Sequence, residues 1–429
     1  MDLLHFKFYI INLKGGENMQ TKNKVFSIII LLIILGLCIN TISATDDTSG
    51  TVSDNTTMSI DSNSSIQNSN VTNQVTYNSS SNSKQLLTAT ANESNVNKED
   101  SSDAGSFTDL NTLISNGGNY ITLNKDYVYN PTTDTHYKNG ITISKTITIN
   151  GNGYTINGLN QAEAFNIRSN NVTIINCTFI NTNSTNYGGA IYSNKANNTK
   201  IINCNFINST GKSGGGVFIF GGNDCYIDNC TFINTSSDSG GAIYWYSANG
   251  NISNCRFINT TGYDGGAVFW NDGKDTKILN CTFENTHADD YGGAILLFGV
   301  SSMSYFEIAN SNFINTSSDV QGGAIFWYGP NGTIRNCNFI NDTSVEHGGA
   351  ITCVICDNGT IDNCSIVNCS SAAGSAIYQE NKYLIIKNSI ILDNRANSTD
   401  LTINSSNSNV IITLYGLNNL FNGIILMEP

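Results

Sequence analysis

Three sets of residues in this chain have the types and spacing to do chemistry. The first is cysteine, of which there are twelve. Cys177, Cys204, Cys230, Cys255, Cys281, Cys337 and Cys364 recur about every 26 residues in one motif, and Ser311 and Ser389 take their place in two further copies. A position that accepts Ser calls for a small side chain rather than a thiol, so the column reads as packed free thiols. Cys353 and Cys356 form a Cys-x-x-Cys with Cys364 and Cys369 close behind, a pattern that suits a local disulfide in an oxidising exterior better than a Zn site. The second set is acidic: Asp238, Asp264, Asp290, Asp319 and Glu346 each lie just ahead of a glycine pair. A stacked carboxylate column would suit Ca²⁺, but Asp is also an ordinary turn residue, and no metal or other cofactor is expected. The third set is His287 with Asp289 and Asp290, one repeat away from Asp264. A glycosidase needs two carboxylates at a fixed separation, and a lyase needs a cation beside its base. No Arg or Lys neighbours His287, so the expectation is a turn histidine in a chain that is not an enzyme. The alternative is a polysaccharide lyase, glycosidase or epimerase.

The elements that must position these residues are repeats. Glycine pairs start at Gly188, Gly215, Gly240, Gly265, Gly292, Gly322 and Gly348, and an Asn-Cys-x-Phe-type motif follows each. A period in this range means a solenoid or an array. Helical hairpins are excluded because Gly, Asn, Thr, Ser and Ile dominate and no 3.6-residue apolar spacing appears. Each copy therefore reads as one coil of three short strands and three turns. The glycine pair supplies one turn through its freedom at positive φ. The Asn before the Cys column (Asn176, Asn254, Asn336 and equivalents) supplies the second. The Asn after the Phe, from Asn181 to Asn368, supplies the third. Asn tolerates the left-handed conformation, and its amide can bond the same residue one coil away. Two asparagine ladders are expected at the corners. Between them Ile174 and its equivalents face inward, Cys177 shares a face with Phe179, and Cys255 with Phe257, giving a continuous Phe stack. The fold class is all-β, a parallel β-helix.

Gly-Gly-Ala-Ile followed by Asn-Cys-x-Phe-x-Asn resembles the repeats of chlamydial polymorphic outer-membrane proteins and of archaeal adhesin-like proteins. The resemblance spans residues 106 to 395 and implies a right-handed β-helix on a cell surface, with adhesion as its role. The chain ends at Pro429 without the C-terminal barrel of the bacterial members, so the archaeal version fits better.

After each glycine pair come bulky side chains whose direction the sequence leaves open. One parity turns Tyr192, Ile219, Tyr244, Phe269, Leu296, Phe326, Thr352 and Tyr378 outward; the other exposes Phe220, Trp245, Trp270 and Trp327. Either way one face shows stacked aromatics able to bind extracellular glycans or surface proteins, with a purely structural envelope role as a further alternative.

The remaining segments concern export. Lys14 to Asn18 reads as the product of a purine-rich leader, so residues 1–18 are expected not to be made. Residues 19–44 read as a signal peptide, with Lys22 and Lys24, an apolar run from Val25 to Ile39 and Ile42-Ser43-Ala44. Residues 45–105 form a spacer in which Ser, Thr and Asn dominate, too polar to offset its ordering entropy. The β-helix takes 106–429, with repeats over about 172–395. Phe107, Leu110, Leu113 and Ile114 at helical spacing predict a short capping helix before Gly117. Net charge is −13 and only Arg168, Arg256, Arg335 and Arg395 carry guanidinium groups, far apart. Nucleic acid is not an expected partner, and membrane contact is expected only through the signal segment.

Overall fold

The computed structural model describes residues 103–271, 274–299, 305–380, 383–396, 401–405, 411–415, 420–421 and 424–427. The leader, the signal segment and nearly all of the spacer lie outside the described residues. No helix among the described residues is long and apolar enough to cross a membrane.

The chain winds as a right-handed parallel β-helix of about 26 residues per turn. Among the described residues three twelve-stranded sheets and one nine-stranded sheet run along it, and in each sheet a strand pairs with its equivalent one coil away. In one coil, Thr173–Ile175 belongs to the first sheet, Thr178–Ile180 to the second, Asn183–Ser184 to the nine-stranded sheet and Ile191–Asn194 to the third. All paired strands are parallel, and like residues fall in register: Ile201 pairs with Ile174 and Ile227, Phe206 with Phe179 and Phe232. Strands this short cannot stand alone, so stability comes from stacking neighbours.

Both asparagine ladders form. At the first corner Asn229 Nδ2 donates to Asn203 Oδ1 at 2.6 Å, and Asn336 to Asn310 at 3.0 Å. At the second the ladder is unbroken from Asn181 to Asn368, with Asn259 donating to Asn234 at 3.3 Å and Asn368 to Asn341 at 2.8 Å. Every corner Asn has φ near +50° to +60°, a conformation that Asn reaches at lower cost than most residues. The first ladder is interrupted where Asn254 and Asn388 donate instead to Asp228 and Asp362. A third ladder of Asn171, Asn198, Asp224, Asn249, Asn331 and Asn358 turns the third sheet into the first, with Asn198 donating to Asn171 at 2.7 Å.

The core is layered. Phe179, Phe206, Phe232, Phe257, Phe283, Phe313 and Phe339 are fully buried. Successive rings lie 4.6–5.0 Å apart and nearly parallel. The cysteine column is buried and reduced, as the sequence implied. Its tolerance of Ser has a specific cause: Cys255 Sγ donates to the Ser253 carbonyl at 3.0 Å and Cys230 to that of Asp228 at 3.2 Å, and Ser311 Oγ makes the same bond to Ala309 at 2.9 Å. The column requires a small donor that can satisfy a carbonyl two residues back. Cys353 and Cys356 form a disulfide, while Cys364 and Cys369 remain free.

The second glycine of each pair is dictated by the approach of the next coil. A Cβ on Gly241 would overlap the Gly266 carbonyl oxygen, and one on Gly266 that of Gly293. The pair expected at Gly215 starts one residue earlier, since Gly214 carries the positive φ (75°) and Val217 pairs with Ile243. A run of three glycines had hidden the register.

The helix α1 (Phe107–Asn116) begins with a reciprocal capping box between Ser106 and Asp109, and buries Phe107, Leu110 and Ile114 against the first coil. Buried Asp134 holds its start. The Asp134 carboxylate accepts from Phe107 N at 2.9 Å, Thr108 N at 3.1 Å, Thr108 Oγ1 at 2.6 Å and Asn130 N at 2.8 Å.

Candidate functional site

The third sheet settles which aromatic residues face outward. Along Ile243–Tyr246, Ile243 and Trp245 are buried in the core and Tyr244 and Tyr246 point away from it. The tryptophans proposed from the opposite parity, Trp245, Trp270 and Trp327, are therefore corrected to core residues. They can be inside because each indole N–H finds an acceptor at the third corner: Trp245 Nε1 donates to Ser247 Oγ at 2.9 Å and Trp327 Nε1 to the Gly329 carbonyl at 2.6 Å. Their rings also explain nearby glycines, since a Cβ on Gly250 or Gly332 would overlap them. Ile219 is likewise inward and buried, and Phe218 takes its outward place.

Two outward columns result. Tyr192, Phe218, Tyr244 and Phe269 stack with centroids 5.3, 4.8 and 5.0 Å apart. Beside them Phe220 stacks on Tyr246 at 5.6 Å and Phe298 on Tyr328 at 4.9 Å. Further along, Leu296, Phe326, Tyr328 and Val354 form an apolar cluster of their own, separate from the main core, with Phe269, Tyr291 and Phe298 packed on it. The residues leading into the glycine pairs fold over the first column: Tyr187 stacks on Tyr192 at 4.1 Å, Tyr291 packs on Phe326 at 4.6 Å, and His347 stacks on Tyr378 at 4.1 Å. Most of these rings are consequently half-buried or buried. Their faces are taken up by one another, so what the column offers is ring edges and the breaks at Leu296 and Thr352, not a row of open ring faces.

Carboxylates rim this apolar strip. Burial raises the Tyr291 phenol above its ordinary range, and the negative charges of Asp290, Asp264, Glu346 and Glu380 push it further. Asp290 itself is raised to about 6, first by burial and then by Glu346 and Asp289, against a lowering hydrogen bond from Tyr263. Burial also raises Glu380 and lowers His347.

The acidic residues proposed as a Ca²⁺ column divide between two neighbouring columns. Asp264 pairs with Ser239, while Asp289 N bonds to the Gly262 carbonyl and Asp290 N to that of Tyr263. Asp319 N bonds to the Ala288 carbonyl, which sets Asp319 beside Asp289, and Glu346 N bonds to that of Val320. By the same register Asp290 lies beside Asp264 and Glu346 falls on that column beyond Val320, while Asp238, one residue before the Ser239 that pairs with Asp264, falls with Asp289 and Asp319 on the neighbouring one. His287 lies in the short strand His287–Ala288, with Nε2 3.4 Å from Asp289 Oδ1 and 3.9 Å from Asp319 Oδ1. Asp289 was anticipated beside it; Asp319, one coil on, was not. Near the first coils a polar cavity of about 350 Å³ is lined by Tyr129, Lys138, Asn139, Gln161, Asn183 and Ser184, among others. It is built from the irregular opening strands, where no repeat register was available to read.

A family model described as a right handed beta helix region matches residues 139–313. No curated protein matches the sequence. Among solved structures, tailspike protein 3 of bacteriophage CBA120 is similar at 10% identity and a TM-score of 0.39, over 75% of this chain; the chain spans about 60% of the length of that tailspike chain. The expectation that the chain is not an enzyme does not stand. It rested on the absence of converging charged groups in the sequence, whereas the fold gathers His287, Asp289 and Asp319. That gathering does not by itself make the chain an enzyme.

Proposed function

We propose that this chain is an exported, adhesin-like β-helical rod that binds glycans at a cell surface through the outward strip of its third sheet. The observation that carries this reading is the second apolar cluster of Leu296, Phe326, Tyr328 and Val354, which lies outside the core and continues into the stacked column of Tyr192, Phe218, Tyr244 and Phe269. The core columns already hold the coils together, so an additional aromatic strip on the outer side of the third sheet supports a second role. Sugars present C–H groups that pack against ring edges and aliphatic side chains, which the strip offers at Leu296 and along its stacked rings, and hydroxyls that bond to the carboxylates of its rim. The rim of Asp264, Asp290, Glu346 and Glu380 also sets selectivity. Its negative charge disfavours uronic-acid polymers and favours neutral or amino-sugar glycans. Export follows from the basic, apolar and small-residue order of residues 19–44, and the Ser/Thr/Asn-rich segment after it serves as a spacer.

A glycan array probed with the full chain tests this. Neutral or amino-sugar oligosaccharides are expected to bind and polyuronates to fail. Changing Tyr244, Phe269 and Phe326 together to Ser is expected to abolish binding while leaving the β-sheet circular dichroism intact. Undiminished binding by the folded triple variant would refute the reading.

A further inference from the structure

His287, Asp289 and Asp319 form a group that the glycan-binding reading does not use. They lie on the nine-stranded sheet, where His287 pairs with Ser317 and Ala288 with Ser318 across adjacent coils. Asp289 and Asp319 follow in the same register, which puts two carboxylates side by side on neighbouring strands. Like charges directly opposite one another destabilise a sheet, so this pair calls for a cation. The imidazole is turned toward it. His287 Nδ1 is 2.9 Å from Ser317 Oγ, and with the Nδ1 proton donated to that hydroxyl the Nε2 lone pair faces Asp289 Oδ1 at 3.4 Å and Asp319 Oδ1 at 3.9 Å.

Those separations fit a metal ion. Ligand atoms bound tetrahedrally to Zn²⁺ at about 2.0–2.1 Å stand roughly 3.3–3.4 Å from each other. The His287–Asp289 distance already has that value, the His287–Asp319 separation must close by about half an ångström, and Asp319 is largely exposed. The three potential ligand atoms all lie within 4.8 Å of one another.

We propose that His287 Nε2, Asp289 and Asp319 bind a first-row divalent transition cation, with Ser317 as the positioning residue for the imidazole. One nitrogen and two carboxylate oxygens suit Zn²⁺, Mn²⁺ or Co²⁺ over Ca²⁺, which prefers an all-oxygen shell. With three protein ligands the ion keeps a coordination position for solvent or ligand. Because Asp289 and Asp319 come from successive coils, it also clips those coils together.

Isothermal titration of the full chain with Zn²⁺, and in parallel with Ca²⁺, tests the proposal. The expected result is saturable Zn²⁺ binding at one site, at least tenfold weaker in His287→Ala and in Asp319→Asn. Removing the group that orients a metal-bound His typically costs 10–100-fold, so Ser317→Ala is expected to weaken binding by about that factor, which a simple histidine–carboxylate ion pair would not produce. If a variant loses its fold, Mn²⁺ added to the unmodified chain decides: the His287 ring proton resonances broaden selectively if the site is real. Absence of saturable Zn²⁺ binding, equal binding by folded His287→Ala, tighter binding of Ca²⁺ than of Zn²⁺, or unbroadened His287 resonances would each overturn the assignment.

Discussion

Asp342 is the sharpest place to test how the coils are held. It follows the second corner asparagine, in a column that includes Thr182, Ser209, Thr235, Thr260, Thr286, Thr316 and Cys369, all fully buried. One carboxylate oxygen accepts from Thr316 N at 2.9 Å and Thr316 Oγ1 at 2.8 Å, and the other, Oδ2, is buried without a partner. Burial raises its pKa from 3.8 to about 7, against the lowering effect of the Thr316 bonds. The folded chain therefore holds a proton here between about pH 4 and pH 7 that the unfolded chain has released. Stability is fully present below pH 4 and falls as pH rises through 7. At about 1.4 kcal/mol per pH unit the loss is on the order of 4 kcal/mol. Asn394 occupies the same column two coils on and shows what an amide does there: its Oδ1 accepts from Cys369 N at 2.8 Å and its Nδ2 donates to the Ile366 carbonyl at 3.0 Å. By the same geometry Asp342→Asn would keep the Thr316 bonds and offer Nδ2 to the Phe313 carbonyl. The variant is expected to be stabler than wild type by about 4 kcal/mol at pH 8 and by no more than about 1 kcal/mol at pH 4, the latter from the one added hydrogen bond. Urea unfolding at pH 4, 6 and 8, with hydrogen exchange of the 310–345 segment to isolate local opening, reads both numbers. A difference that does not change with pH would refute the reasoning.

Other perturbations test other columns. Gly266→Ala would drive a Cβ into the carbonyl oxygen of Gly293 and close to that of His287; a loss of several kcal/mol, seen as a collapse of the urea midpoint, is expected, and an unchanged midpoint would contradict the close approach. Cys255→Ser is expected to stay within about 1 kcal/mol of wild type in the same assay, because Ser311 already makes the equivalent bond, whereas Cys255→Leu would overpack the column and cost about 1–3 kcal/mol. Asp134 runs opposite to Asp342: although burial pushes its pKa up, hydrogen bonds to Thr108, Asn130 and Phe107 hold it below its ordinary value. Its contribution is present above pH 4 and is lost as pH falls further, so Asp134→Ala should destabilise α1 at pH 7, read by hydrogen exchange of residues 107–116, and the difference from wild type should shrink as the pH drops below 4.

The fold was legible because its causes repeat. A corner Asn with positive φ, an inward Ile and a stacked Phe each recur at one spacing, so an error in any single copy is outvoted by the others. The features that the sequence hid are those where the repeat changes length. Asp319 stands one coil on from Asp289, but that coil is 30 residues long rather than about 26, so a fixed spacing misses it; the acidic residues divide between two columns because the distance from the corner Asn to the glycine pair differs between coils. The third asparagine ladder escaped notice because Asn171, Asn198 and Asn249 sit in the turn whose length varies most. Whether Tyr244 or Trp245 faces out could not be read from alternation alone, since both are large aromatics; the acceptors at Ser247 and Gly329 and the space left by Gly250 and Gly332 decide it. Asp342 was visible in principle, as the one acid in a column of Thr and Ser, had the residues after the second corner been aligned.

The glycan-binding strip is tested most directly by hydrogen exchange of the full chain with and without an oligosaccharide that it binds. Protection is expected in the third-sheet strands Ile191–Asn194, Val217–Phe220, Ile243–Tyr246 and Ile325–Tyr328 and in the segments that fold over them around Tyr187 and Tyr291. Protection confined to the second sheet, or to the polar cavity around Lys138 and Gln161, with the third sheet unchanged, would contradict it.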